Sequence, residues 1–209
     1  MNPILPRFTC PRLELGELTA DVSAPLWCDL PAVELVVAQT GEPPKQRSWV
    51  RMAHDGREWR VLFHCEDRDP WATLTERDAP LFNEETVEIF FDPAGDLEGY
   101  FEIEVNPLGA VLDLVFRRSR SGYKGDRAWD CEGLRTAVNL GPGTWTTELA
   151  IPFAAVTAMP LPREWRVNFC RIDRPSRDGS LARELTAWSP PLRETFHTPE
   201  RFGVVSFEG

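Results

Sequence analysis

Apolar and polar residues alternate in short runs along most of this chain, the period-two pattern of half-buried strands. Residues 32–38 (AVELVVA) predict the first strand. Residues 47–53 and 57–65 flank Asp55-Gly56, a hairpin signal. A two-residue loop there sets Val50 opposite Val61 and Met52 opposite Trp59. These four, with Phe63 and Cys65, form a core face, and Trp49, Leu62 and His64 fall on the other. Further strands are predicted at 86–91, 100–105, 110–116, 135–140, 144–151, 165–173 and 203–207. Asn106-Pro107-Leu108-Gly109 and Gly141-Pro142-Gly143 read as hairpin turns, and Pro152 opens a short helical turn. Residues 66–83 read as a long polar loop, the kind that often carries function, and 117–132 as another exposed loop. This spacing of strands and turns predicts an all-β fold, an antiparallel β-sandwich of jelly-roll type, with residues 1–209 as one domain.

Composition narrows the function. The 19 Pro and 14 Gly suit many sharp turns, and the eight Trp and twelve Phe supply bulky core and rim residues. A formal net charge of -10 argues against nucleic-acid binding, which needs clustered Lys and Arg. Only Arg117, Arg118 and Arg120 approach a basic run. No apolar run reaches the roughly 20 residues of a membrane span, and the first residues lack a signal peptide's apolar core. Five scattered Cys without a CxxC read as reduced thiols, so a cytoplasmic location is expected.

Two stretches concentrate the chemistry: NEETVEIFFDP at 83–93 and WSPPLRETFHTPERFG at 188–203. Phe82 and Phe196 lie in loop-like sequence beside polar residues, placed to stack on the C–H face of a sugar. The plain alternative is that each plugs its loop onto the core. Glu88, Glu102 and Glu104 point away from the core faces of their strands. They form either a hydroxyl-binding acidic face or a solvated one. Asp92, Asp96 and Glu98 could wrap calcium as a structural ion, with Asp67 and Asp69 a weaker pair, although no cofactor is required. His54, His64 and His197 show no zinc spacing, and no catalytic serine, cysteine or phosphate-loop signature occurs.

NEETVEIFFDP, YFEIEVNPLGAVLD, TWTTELAIPF, WRVNFCRID and AWSP…FHTPERFG follow one another in an order that resembles the family 9 carbohydrate-binding modules and their single-domain relatives, from about residue 32 onward. The resemblance implies a β-sandwich that binds mono- or oligosaccharides, often at a chain end, and that commonly holds structural calcium. Such modules usually accompany glycoside hydrolases, xylanases especially, which links the chain to carbohydrate catabolism. In the sugar-binding members two Trp sandwich the sugar; the matching positions here are Phe82 and Phe196. Glu88 matches a hydroxyl acceptor. Glu104 stands where a sugar-contacting Arg is usual, Cys170 where an amide is, and Arg193 where an Asn is. The leading expectation is non-catalytic binding of a small saccharide or similar polyol by Phe82, Phe196, Glu88, Glu104, Arg193 and His197. The alternatives are a glycoside hydrolase using Glu88 with Glu102 or Glu104, a haem-binding domain of the same superfamily, and an interaction module with a degenerate site. Neither the identity of a protein partner nor that of the sugar follows from the residues.

Overall fold

The computed structural model describes residues 4–209. In chain order its elements are β1 (Arg7–Cys10), α1 (Pro25–Cys28), β2 (Val33–Glu34), β3 (Val36–Val37), β4 (Ser48–His54), β5 (Glu58–Glu66), β6 (Thr86–Asp92), β7 (Gly99–Val105), β8 (Val111–Ser119), β9 (Gly122–Asp126), β10 (Arg135–Gly141), β11 (Thr144–Pro152), α2 (Phe153–Val156), β12 (Glu164–Asp173), β13 (Glu184–Ala187) and β14 (Gly203–Phe207). They form a sandwich of two sheets. The larger runs β1-β14-β12-β6-β7-β8-β9, with β13 and β3 attached beside β12. The smaller runs β10-β11-β5-β4-β2. All pairings are antiparallel except β1 with β14.

The predicted core face of the first hairpin is correct, but its register is not. Val50 lies opposite Phe63 and Met52 opposite Val61, while Trp59 faces His54. The Asp55 carboxylate accepts hydrogen bonds from the amides of Arg57 (2.7 Å) and Glu58 (2.9 Å), which holds a longer loop than two residues. Gly56, at φ +90°, supplies the left-handed turn. The slip is two residues, so every side chain keeps its predicted face.

The run 32–38 is not one strand. β2 pairs with β4 in the small sheet and β3 with β13 in the large one, with buried Leu35 crossing between them. Nor is 117–132 wholly loop: β8 continues to Ser119 and turns into β9. β1, β13 and α1 have no counterpart in the sequence reading, because each is only four residues long.

Between the sheets lies the main core, centred on aromatic rings. Trp165 stacks on Phe91 at 5.6 Å and meets Trp59 edge-on at 5.8 Å. At one end Arg171 of β12, itself buried, bolts the sheets together. Its guanidinium donates to Ser48 Oγ (3.0 Å), the Glu66 carbonyl (2.8 Å) and Asp67 Oδ2 (2.6 Å). The outer face of the small sheet is covered by the N-terminal segment. Buried Glu148 accepts from the amides of Thr19 and Ala20 and pairs with Arg60, whose guanidinium also reaches the Gly16 carbonyl.

The outer face of the large sheet is covered too, and this decides the character of the site. Loops bury two separate apolar patches on it. One gathers Phe90, Tyr100, Cys170, Phe196 and Phe202; the other gathers Leu81, Ala110, Leu112 and Leu114.

Candidate functional site

Strand register places the three glutamates in the seam between those patches. One row across β12, β6, β7 and β8 reads Cys170, Glu88, Glu104, Leu112; the next reads Asn168, Phe90, Glu102, Leu114. Each Glu is thus flanked by an apolar residue of one patch or the other. The expectation of a solvated acidic face is overturned, since Glu88, Glu102 and Glu104 are only 2%, 4% and 1% exposed. An oxygen from each lies within 4.8 Å of the others. Glu88 and Glu104 face each other across β6 and β7, with Glu102 on the next row of the same face. All three are held well above the ordinary carboxyl range, chiefly by burial and then by one another's charge. Oε1 of Glu88 and Oε2 of Glu104 have no hydrogen-bond partner.

Phe82 stands at the rim. It belongs to a short 3-10 turn (Leu81–Asn83) whose Leu81 anchors in the second apolar patch. Its backbone carbonyl accepts from Arg174. Glu84 secures the preceding loop by accepting from the amides of Thr73 (2.7 Å) and Leu74 (3.1 Å). The Phe82 ring is 37% exposed, and the guanidinium carbon of Arg127 lies 5.8 Å from its centre. Sequence reasoning passed over Arg127, which lies in the 117–132 region read as an exposed loop.

Phe196 does not present a second ring. It is buried against Phe90 at 6.1 Å, within the first patch. Phe90 itself is fully buried on the outer face, so the loop carrying Phe196 needs an apolar plug there. His197 is exposed on one side but packs its ring against Phe90, Phe116 and Tyr100, with Nδ1 3.0 Å from the Tyr100 hydroxyl; the partial desolvation lowers its pKa. Arg193 is exposed on the same loop.

The calcium set proposed from sequence does not converge. Asp92 is buried, and its oxygens accept from the amides of Gly95 (2.8 Å) and Leu97 (3.1 Å). Asp96 caps Glu98, and Glu98 turns to Arg118 at 3.7 Å. Among the described residues three other acidic groups do converge: Asp67 with Glu85 and Asp173, Asp78 with Asp113 and Asp130, and the three glutamates of the seam. The first already holds a cation, since Arg171 Nη2 lies 2.6 Å from Asp67 and 3.7 Å from Asp173. The second holds Arg77, 2.6 Å from Asp113 and 2.9 Å from Asp130. Asp69, the weaker candidate, pairs with Arg177 at 3.2 Å.

The chain belongs to the family described as carbohydrate family 9 binding domain-like, whose model matches residues 21–209. This is a family of non-catalytic binding domains, which sets aside the reading of paired glutamates as a hydrolase. Among solved structures it is similar to a Bacteroides uniformis ATCC 8492 protein assigned to carbohydrate binding, at 20% identity and TM-score 0.79, over 98% of this chain and 100% of that one. It is also similar to a family 9 module from Caldicellulosiruptor kristjanssonii. The complex of that module with glucose matches at 14% identity and TM-score 0.71, over 97% of this chain and 96% of that one. The complex with cellotriose matches at 15% identity and TM-score 0.72, over 97% and 94%. No curated protein matches the chain by sequence.

Proposed function

We propose that the protein binds a mono- or oligosaccharide, or the end of a longer chain, without catalysing a reaction, in the service of carbohydrate catabolism. The observation that carries this reading is an exposed Phe82, on a turn packed against β7, together with buried carboxyl oxygens of Glu88 and Glu104 that have no partner. A pyranose has an apolar C–H face that a flat ring removes from water, and hydroxyls that carboxylates accept from. The Caldicellulosiruptor module bound to glucose and cellotriose supports it from a similar fold. In this reading Phe82 stacks on the sugar and displaces Arg127 from the ring face. Arg193 and His197, exposed on the neighbouring loop, address outlying hydroxyls. Phe196 supports from beneath by holding that loop on Phe90.

The test is ligand-induced thermal stabilisation with a panel of mono- and oligosaccharides, on the wild type and Phe82→Ala. A ligand at a hundredfold excess over its dissociation constant adds about 2.7 kcal/mol. Stabilisation in the wild type that disappears in Phe82→Ala supports the reading. Stabilisation that survives in the variant moves the site elsewhere, and none with any saccharide overturns it.

A further inference from the structure

We infer that the saccharide bound here carries a free amino group, whose protonated form sits among Glu88, Glu102 and Glu104 while its ring rests on Phe82. This deepens the proposed function and rests on it. The contrast among the three acidic groups is the starting point. Two of them enclose an arginine guanidinium in ion-pair contact, Arg171 in one and Arg77 in the other. The third, as deeply buried as the Asp67 set, encloses none. No glutamate of the seam joins an ion pair among the described residues. Arg127 and Arg183 act on it only as more distant charges. Buried carboxylates are paired, protonated or bound to a cation. Without ligand, burial favours the protonated carboxyls, and two of the buried oxygens, Glu88 Oε1 and Glu104 Oε2, remain without a partner.

The donor balance selects the ligand. Row neighbours Cys170, Leu112, Leu114 and Phe90 contribute no strong donor, so once the cluster gives up a proton its oxygens are acceptors without a protein donor beside them. An ammonium group carries three donors and no acceptor, whereas a sugar hydroxyl carries one of the first and two of the second. Calcium would want six to eight oxygens, and the thiol and leucines that border the carboxylates supply none beyond them. Space selects in the same direction. Carboxylates under 5% exposed exclude a pyranose, which is left outside against exposed Phe82, and oxygens within 4.8 Å of one another match the span of a single small cation such as –NH3+. Seating the ammonium expels a carboxyl proton of the cluster to the buffer, with no bond broken in the ligand.

Isothermal titration of the full chain tests this. The probes are glucosamine and its β-1,4-linked free-amine oligomers, their N-acetylated counterparts, glucose and cellotriose, each in two buffers of different ionisation enthalpy. The expected result is about tenfold or greater preference for the free amine over the N-acetyl and neutral sugars. It comes with release of roughly one proton, and the preference is lost in Glu88→Gln and Glu104→Gln. Both variants keep the shape of the site, and a retained cooperative melt verifies that they fold. Equal binding of glucose or cellotriose without proton exchange overturns the inference and leaves the proposed function standing. Failure of every saccharide overturns both. Calcium or manganese binding that is lost in Glu88→Gln, with no amine preference, also overturns it and assigns the carboxylates to a metal.

Discussion

At the scale of the residue, two phenylalanines that look alike in sequence are separated by what lies beneath them. Phe82 precedes a run of polar residues and its ring remains exposed, because Leu81 takes the apolar anchoring position instead. Phe196 closes over Phe90 and is buried. Their truncations therefore behave differently. Phe82→Ala changes unfolding free energy by no more than about 0.5 kcal/mol, as exposed substitutions do. Phe196→Ala costs about 3–5 kcal/mol, the loss of a buried aromatic ring. Urea denaturation of the two variants checks this, and equal losses would refute the assignment of one ring to solvent and the other to the core. Both positions stood out as loop aromatics in the sequence. Which of them packs depended on Phe90, whose burial on the outer face no alternation pattern announces.

Elements meet at Arg171. β12 lies in the large sheet, yet this residue reaches Ser48 of β4 and the carbonyl that ends β5 in the small one. It is also the cation for Asp67 and Asp173. Nearby Glu85 is pushed up to about 9, first by burial and then by its hydrogen bond to Asp67 and the surrounding negative charge. Arg171→Met removes the positive charge and leaves the acids in place, which costs about 3–5 kcal/mol. Adding Asp67→Asn should recover part of that loss, because it removes one of the charges left unpaired. Denaturation of the single and double variants measures the coupling; a purely additive result would show that the pair acts independently. The long loop at 66–83 was legible as irregular from its polar, Pro-containing sequence. Its attachment by Glu84 to Thr73 and Leu74, and the role of Arg171 at its start, follow from contacts distant in sequence.

For the whole molecule, the buried carboxyls set the response to pH. Glu85, Glu88, Glu102 and Glu104 are all raised above their ordinary value of 4.5, mainly by burial. A carboxyl raised on folding holds its proton more tightly in the folded chain than in the unfolded one. Its contribution is greatest below the unfolded value and declines as pH climbs through the folded one. Wild-type stability should fall as pH increases from 4.5 toward about 9, the upper mark set by Glu85. Glu88→Gln should make that decline shallower, since an amide never ionises. Denaturant midpoints measured across this range check the sign. A wild type that gains stability throughout, or a variant with an unchanged slope, would contradict the protonated state of the seam.

Sequence alone determined the class of fold, because alternation, turn residues and hairpin spacing are local properties of the chain. It identified β4 to β8 and the hairpin of β10 and β11, and it placed Phe82, Glu88 and Glu104 among the candidate residues. Tertiary structure decided the rest. Period-two alternation shows that a strand has two faces, but not whether loops will cover both, so Glu88, Glu102 and Glu104 read equally well as solvated or functional until the outer layer closed over them. It also cannot show where a short strand such as β9 or β13 finds its partner, or that residues 32–38 cross from one sheet to the other. Carboxylates pair with arginines that folding brings to them. Only the packed molecule shows that two of the acidic groups have such a partner and that Glu88, Glu102 and Glu104 do not.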